Sequence, residues 1–228
     1  MLALTYTVFP LIAVLVGAIV AVLRPPGPAL SSAIQHLAAG VVFAAAAAEI
    51  LPQVVHGGSP AATLIGGAAG VVAMLSLKTL EERFEGPLGM LGAVGTDILI
   101  DGLVLGLAFI AGAKAGLLLT IALTLEILFL GVTVTEELGA TVRSKIKIVA
   151  ITGGLGLLLP LGVVLATPVA SFPLAVIDGF LSFGLIALLY LVTEELLVEA
   201  HAKPDSPLIS AMFFVGFLGL LLLEELMG

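Results

Sequence analysis

The chain has no cysteine, so it forms no disulfide, offers no thiolate to a metal and carries no cysteine mark of its compartment. Charge is scarce as well: acidic and basic residues together are 11% of 228 residues. An ordinary soluble domain is about a quarter charged, so that class is excluded. Polar linkers and low-complexity tails are missing. The first segment lacks the basic n-region of a cleavable signal peptide and reads as a spanning helix. No H-E-x-x-H or nucleophile motif is present, which removes the commonest routes to an enzyme.

What is there is apolar. Hydrophobic residues make up 61% of the chain, and the mean hydropathy is +1.30. Runs of roughly 20 apolar residues, enough to cross the hydrocarbon, occur near 3–23, 31–55, 60–80, 88–112, 115–138, 146–168, 172–198 and 206–227. The breaks carry turn chemistry: RPPGP, HGGSP, FEGP, AGAKAG and KPDSP. The expectation is an all-α polytopic membrane protein of eight transmembrane helices, with 1–228 as one transmembrane domain. Arg24, Lys78, Arg83, Arg143, Lys145, Lys147 and Lys203 fall on the odd-numbered connections, and only Lys114 falls on the other side. By the positive-inside rule both termini face out. The net charge of −8 adds little, because the acids are scattered.

Glycine is plentiful. Gly102 and Gly106, then Gly66, Gly67 and Gly70, then Gly153, Gly154 and Gly156 mark small-residue surfaces for close helix packing. Pro160 inside the sixth helix should kink it.

Three acids interrupt the apolar runs at mid-depth. Asp97 and Asp101 lie in GTDILIDGLVLGLAF and Glu126 in LLLTIALTLEILFLG. Charge at that depth is costly and marks an ion or substrate path. Asp97 and Asp101 are four apart and share a helix face. The next helix returns antiparallel and brings Glu126 to the same depth. Crowded carboxylates hold a proton unless a cation lies between them. No basic residue of the sequence reaches that depth, so an ion pair is not available to explain them. Two readings stay open: a cation or proton site, or protonated acids bonded to Thr96, Thr120, Thr124 or backbone carbonyls. An all-oxygen set suits Mg²⁺, Ca²⁺, Mn²⁺ or Fe²⁺ and does not exclude Zn²⁺.

Other polar residues are less specific. Glu49, in the outer half of the second helix, is a candidate fourth ligand or outer-mouth ligand. His56 reads as a solvated rim residue and His36 as interfacial polarity. Asp178 lies in the outer part of the seventh helix. Glu136, Glu137, Glu194 and Glu195 read either as an acidic exit funnel or as solvated helix ends. Glu224 and Glu225 read as the wet outer end of the eighth helix.

HLAAGVVFAAAAAEILP resembles the second helix of ZIP-family divalent-metal transporters, and LLYLVTEELLVEAH resembles the seventh. GLGLLLPLG is similar to the family's G-L-x-x-P-L-G segment, and DGLVLGLAF to its E-G-L-A-x-G-x-A-F. Four motifs in the correct order span nearly the whole chain, and eight helices with both termini outside is the family layout. The departures fall on the metal site. Aligned on the helix 4 glycine, Asp97 takes the family's histidine position, Ile98 its asparagine, Ile100 its proline and Asp101 its glutamate. On helix 5, Glu126 takes the leading His/Gln position, Ile127 the Asn/Asp and Leu130 the second glutamate. Leu159 replaces an acid found in some members. The family's histidine-rich loop between helices 3 and 4 is absent, because KTLEERFEGP is short and lacks histidine.

The resemblance implies a binuclear centre reduced to one all-carboxylate site of Asp97, Asp101 and Glu126, assisted by Glu49. The function it implies is transport of a divalent metal cation (Zn, Fe, Mn, Mg or Ca) across the cell membrane. The ion is cargo, no organic cofactor or nucleic acid is implied, and a homodimer is allowed. Alternatives are a proton-coupled transporter, a non-transporting metal-sensing homologue, or an intramembrane aspartyl hydrolase. The hydrolase is disfavoured because Asp97 and Asp101 share one helix, where such dyads use two.

Overall fold

Every long apolar run folds as a helix in the computed structural model, which describes residues 2–57, 59–83, 86–202 and 206–227. The long helices are α1 (Leu2–Leu23), α2 (Pro28–His56), α3 (Pro60–Arg83), α4 (Pro87–Ala111), α5 (Ala113–Gly139), α6 (Lys145–Ser171), α7 (Leu174–His201) and α8 (Pro207–Met227). Among the described residues there is no strand, and these eight helices are long and apolar enough to cross a membrane. The chain is therefore built as a multi-pass membrane protein. Lys203, part of the KPDSP break, lies outside the described residues, as do Gly58 of HGGSP and Phe84 and Glu85 of FEGP.

Burial divides the helices. The central windows of α2 and α5 are 61% buried, while those of α3 and α8 are 11% buried. The core is thus formed by α2, α4, α5 and α7, with α3 and α8 on the rim. Between helices in lipid there is no hydrophobic drive, so close backbone approach must do the holding. Each helix has one principal partner: α1 with α5, α2 with α8, α3 with α7 and α4 with α6. Three of these seams carry reciprocal glycines. A Cβ on Gly102 would strike the Leu159 carbonyl of α6, and one on Gly162 would strike the Leu99 carbonyl of α4. Gly40 and Gly216 do the same for α2 and α8, and Gly17 and Gly131 for α1 and α5. Of the glycines picked out by sequence, Gly66, Gly67 and Gly70 pack on α7, and Gly153 and Gly156 on α1. Gly154 is the exception and faces open space.

The helices are not uniform. Gly112 alone joins α4 to α5, a tighter connection than AGAKAG suggests. α6 breaks at Leu157, about one turn before Pro160, where the proline ring displaces the preceding turn. Two π-helical turns were not anticipated. In α2, residues Ala46–Ile50 form one, and Leu51 N–H donates to the Ala46 carbonyl. Pro52 follows at once and has no N–H to continue the α ladder. In α7, Leu191–Leu196 form the other. There the Thr193 hydroxyl donates to the Leu189 carbonyl at 2.9 Å and so competes with the backbone. Such turns occur often at functional sites. The first contains Glu49 and the second Glu194 and Glu195.

Candidate metal centre

The single-residue turn at Gly112 makes α4 and α5 antiparallel neighbours, and it brings the three mid-depth acids together. One carboxylate oxygen from each of Asp97, Asp101 and Glu126 lies within 4.8 Å of the other two. Oxygens around a cation at about 2.0–2.6 Å stand at most roughly 5 Å apart, so the spacing suits a single ion. Asp101 is 3% exposed and Glu126 1%, while Asp97 is half-buried. Asp101 and Glu126 are within hydrogen-bond reach of each other. No N–H or hydroxyl among the described residues reaches Asp101 Oδ2 or either oxygen of Glu126.

The surroundings sharpen this. The charges acting on Asp101 and Glu126 are all acidic: Glu195 acts on both, and Asp97 acts on Glu126. The threonines that could have served as partners bond to their own helices. Thr96 donates to the Gly92 carbonyl at 2.8 Å, Thr120 to Gly116 at 2.7 Å and Thr124 to Thr120 at 2.6 Å. The arrangement has carboxylate oxygens to spare and no positive charge at the two buried members, so a cation is the partner that would offset their burial.

One approach to the cluster is visible. A cavity of about 220 Å³ opens at the end of the bundle that carries Lys78, and it is lined by Asp97, Lys78, Tyr190, Glu194, Glu195 and Glu199. Asp97 is therefore the rim of the cluster and Asp101 and Glu126 its floor. Beyond them, toward the opposite end, Leu105, Leu119 and Leu123 have no exposed surface. Lys78 pairs with Glu194 at 2.9 Å and shares the cavity with Asp97, so a basic residue stands closer to the path than its place near a helix end suggested.

The remaining candidates go elsewhere. Glu49 is 8% exposed but stands apart from the group of three. Its charged neighbours are Glu224 and Lys114, themselves paired at 3.5 Å at the opposite end. Glu224 is thus engaged, whereas Glu225 is exposed. Glu136 is exposed, and Glu137 lines a second cavity beside Glu199. His56 is exposed and donates to the Pro52 carbonyl. His36 is 1% exposed rather than interfacial and meets the ring of His201 edge-on at 4.9 Å. Asp178 is buried against Gly57. Ile98, Ile127 and Leu159 sit in the closed core, and Leu130 lines the cavity, so no second ligand set adjoins the three acids among the described residues.

Sequence reasoning left two contributors unresolved or unnamed. Glu195, within the π turn, lines the cavity with Asp97 and its charge acts on Asp101 and Glu126, and Glu199 follows one turn later. Their spacing of four was visible, but the extra residue of the π turn was not. Compared with protein-family models and with curated proteins, the chain matches none of them.

Proposed function

We propose that the protein is a ZIP-like transporter that carries a divalent metal cation across the cell membrane through one site formed by Asp97, Asp101 and Glu126. A single observation supports this most: three carboxylates converge at mid-membrane, two of them with no cationic neighbour, at the blind end of an acidic cavity. A dication is the partner that such a set lacks. The positive-inside rule supports an orientation with the cavity on the cytosolic side and both termini outside. In this arrangement the site is open inward and closed outward. Alternating access requires a second state in which the Leu105, Leu119 and Leu123 layer parts and the cavity closes.

The acidic lining gives the path a direction of descent. Asp97 and Asp101 lie on one helix face, and Glu195 and Glu199 on another, each pair four residues apart. An ion leaving the floor meets Asp97, then Glu195, then Glu199. Lys78 and its partner Glu194 moderate the field at the mouth. Because Asp101 and Glu126 can share a proton when empty, ion binding should release protons. This favours coupling of metal movement to protons over a purely passive path.

The test is flux. The chain is reconstituted in proteoliposomes and challenged with Mn²⁺, Fe²⁺, Zn²⁺, Mg²⁺ and Ca²⁺ under an imposed gradient, with a pH dye inside. At least one ion should enter saturably, and Asp101→Asn should abolish its entry while the helical content is kept. Equal flux in the two proteins would remove the site assignment. Peptide cleavage with no flux would favour the hydrolase.

A further inference from the structure

A groove of about 680 Å³ runs down the outside of the bundle between α1 and α6, lined by Leu15, Ile19, Val22, Lys145, Gly154 and Leu157 among others. Gly154 leaves part of its wall open: a Cβ there would meet nothing within 4 Å. From Lys145 to Leu157 the groove follows α6 for about 18 Å at 1.5 Å per residue. Half of a hydrocarbon core is about 15 Å, so the groove has the length of one acyl chain in one leaflet.

Lys145 lines its end, and three more cations adjoin the lining residues in the chain. Arg24, at the end of α1, and Arg143, Lys145 and Lys147, around the start of α6, are all exposed. Arg24, Arg143 and Lys147 form no ion pair among the described residues. Lys145 donates to the Val22 carbonyl at 3.1 Å and so stands over the groove. The same site holds the amino end of α6, capped by Ser144, whose dipole adds to the positive field. The acids of this end lie mostly elsewhere: Glu194, Glu195 and Glu199 line the first cavity and Glu137 the second, with Glu136 exposed at the end of α5. Among the described residues, the acids that line the two cavities therefore do not line this groove, and Lys78 is the cation that lies with them.

We propose that this groove is a binding site for an anionic phospholipid, with one acyl chain along Gly154 and the phosphate held by Arg24, Lys145 and Lys147. An apolar slot of acyl length ending in unpaired cations between two helices is the chemistry that selects such a headgroup. The site is independent of the ion path and does not rest on the transport reading.

Native mass spectrometry of the purified full chain tests it, after exchange into detergent containing phosphatidylglycerol or phosphatidylcholine. The anionic lipid should be retained in preference to the zwitterionic one. Arg24→Gln and Lys147→Gln should each lower that preference by about fivefold, the effect of about 1 kcal/mol per surface cation. Gly154→Phe should put a ring into the slot and abolish retention, since a Cβ at Gly154 points into open space. Lys145→Gln is avoided because it also removes the bond to Val22. Unfolding midpoints of the variants without lipid, equal to that of the parent, establish that they fold. Equal retention of both lipids, or retention unchanged by Gly154→Phe, overturns the proposal. So does a shift from dimer to monomer caused by Gly154→Phe, which would make the groove a contact between copies.

Discussion

Glu126 shows what a single residue does here. It is 1% exposed, and neither of its oxygens meets an N–H or hydroxyl among the described residues. A buried polar group left in that state costs about 1–3 kcal/mol, more if charged. Glu126→Gln should therefore leave the metal-free protein as stable as the parent or more so. The stabilisation by metal should vanish in the same variant. For the parent it should reach about 2.7 kcal/mol at a free ion concentration 100 times Kd. Thermal unfolding in detergent with and without the transported ion reads both effects, and an equal gain from metal in the two proteins would exclude Glu126 as a ligand. Asp101→Asn should lower flux by about a hundredfold or more, since even outer-shell ligand partners are worth 10–100-fold. Lys78→Gln acts differently. Its exposed pair with Glu194 is worth at most about 1 kcal/mol, so stability should hardly move. Removing a cation from the cavity should instead lower the KM for ion entry from the cavity side. The three acids were legible in the sequence because a lone carboxylate in an apolar helix has few other uses. Glu49 was legible as an anomaly, but its neighbours Lys114 and Glu224 were not, since they come from helices far away in the chain.

At the scale of the element, the glycine seams and the π turns decide the geometry. Gly102 and Gly162 bring α4 and α6 into backbone contact, and α4 carries two of the three acids. Gly162→Ala should cost about 1–3 kcal/mol by overpacking, and it should reduce flux by displacing Asp101. Gly154→Ala, on the same helix but facing open space, should be close to neutral. The two unfolding midpoints measured side by side check this, and equal losses would mean that the seam is not what holds α4. Helix positions were readable to within a few residues from hydropathy and turn residues, and the Pro160 break from the missing N–H. The π turns were hidden for a physical reason. One extra residue per turn rotates everything beyond it by about 100°, yet it leaves hydropathy unchanged where nearly every neighbour is apolar. Glu194 and Glu195 therefore read equally well as a solvated helix end until their turn was seen.

For the whole molecule, on the transport reading, the question is which side the proposed site faces. Composition points to a chain that spans a membrane, and the segregation of basic residues is the argument for which end lies in the cytosol. Neither could say which gate is shut, because that depends on how helices far apart in sequence meet. In the folded chain the cavity ends at Asp97, and the Leu105, Leu119 and Leu123 layer is closed behind Glu126. The absence of cysteine makes this directly measurable, because any introduced thiol is the only one present. Ala93→Cys, on the cavity wall, should react with a membrane-impermeant thiol reagent applied from the cytosolic side and stay silent from the other. Leu119→Cys should be silent from both sides in the resting protein. It should become reactive from the outside only when the transported ion is supplied and the bundle cycles, and Ala93→Cys labelling should then slow. Labelling of Ala93→Cys from the outer face would reverse the orientation. Labelling of Leu119→Cys without ion would mean that the leucine layer is no gate, and the site would be a pore rather than a carrier.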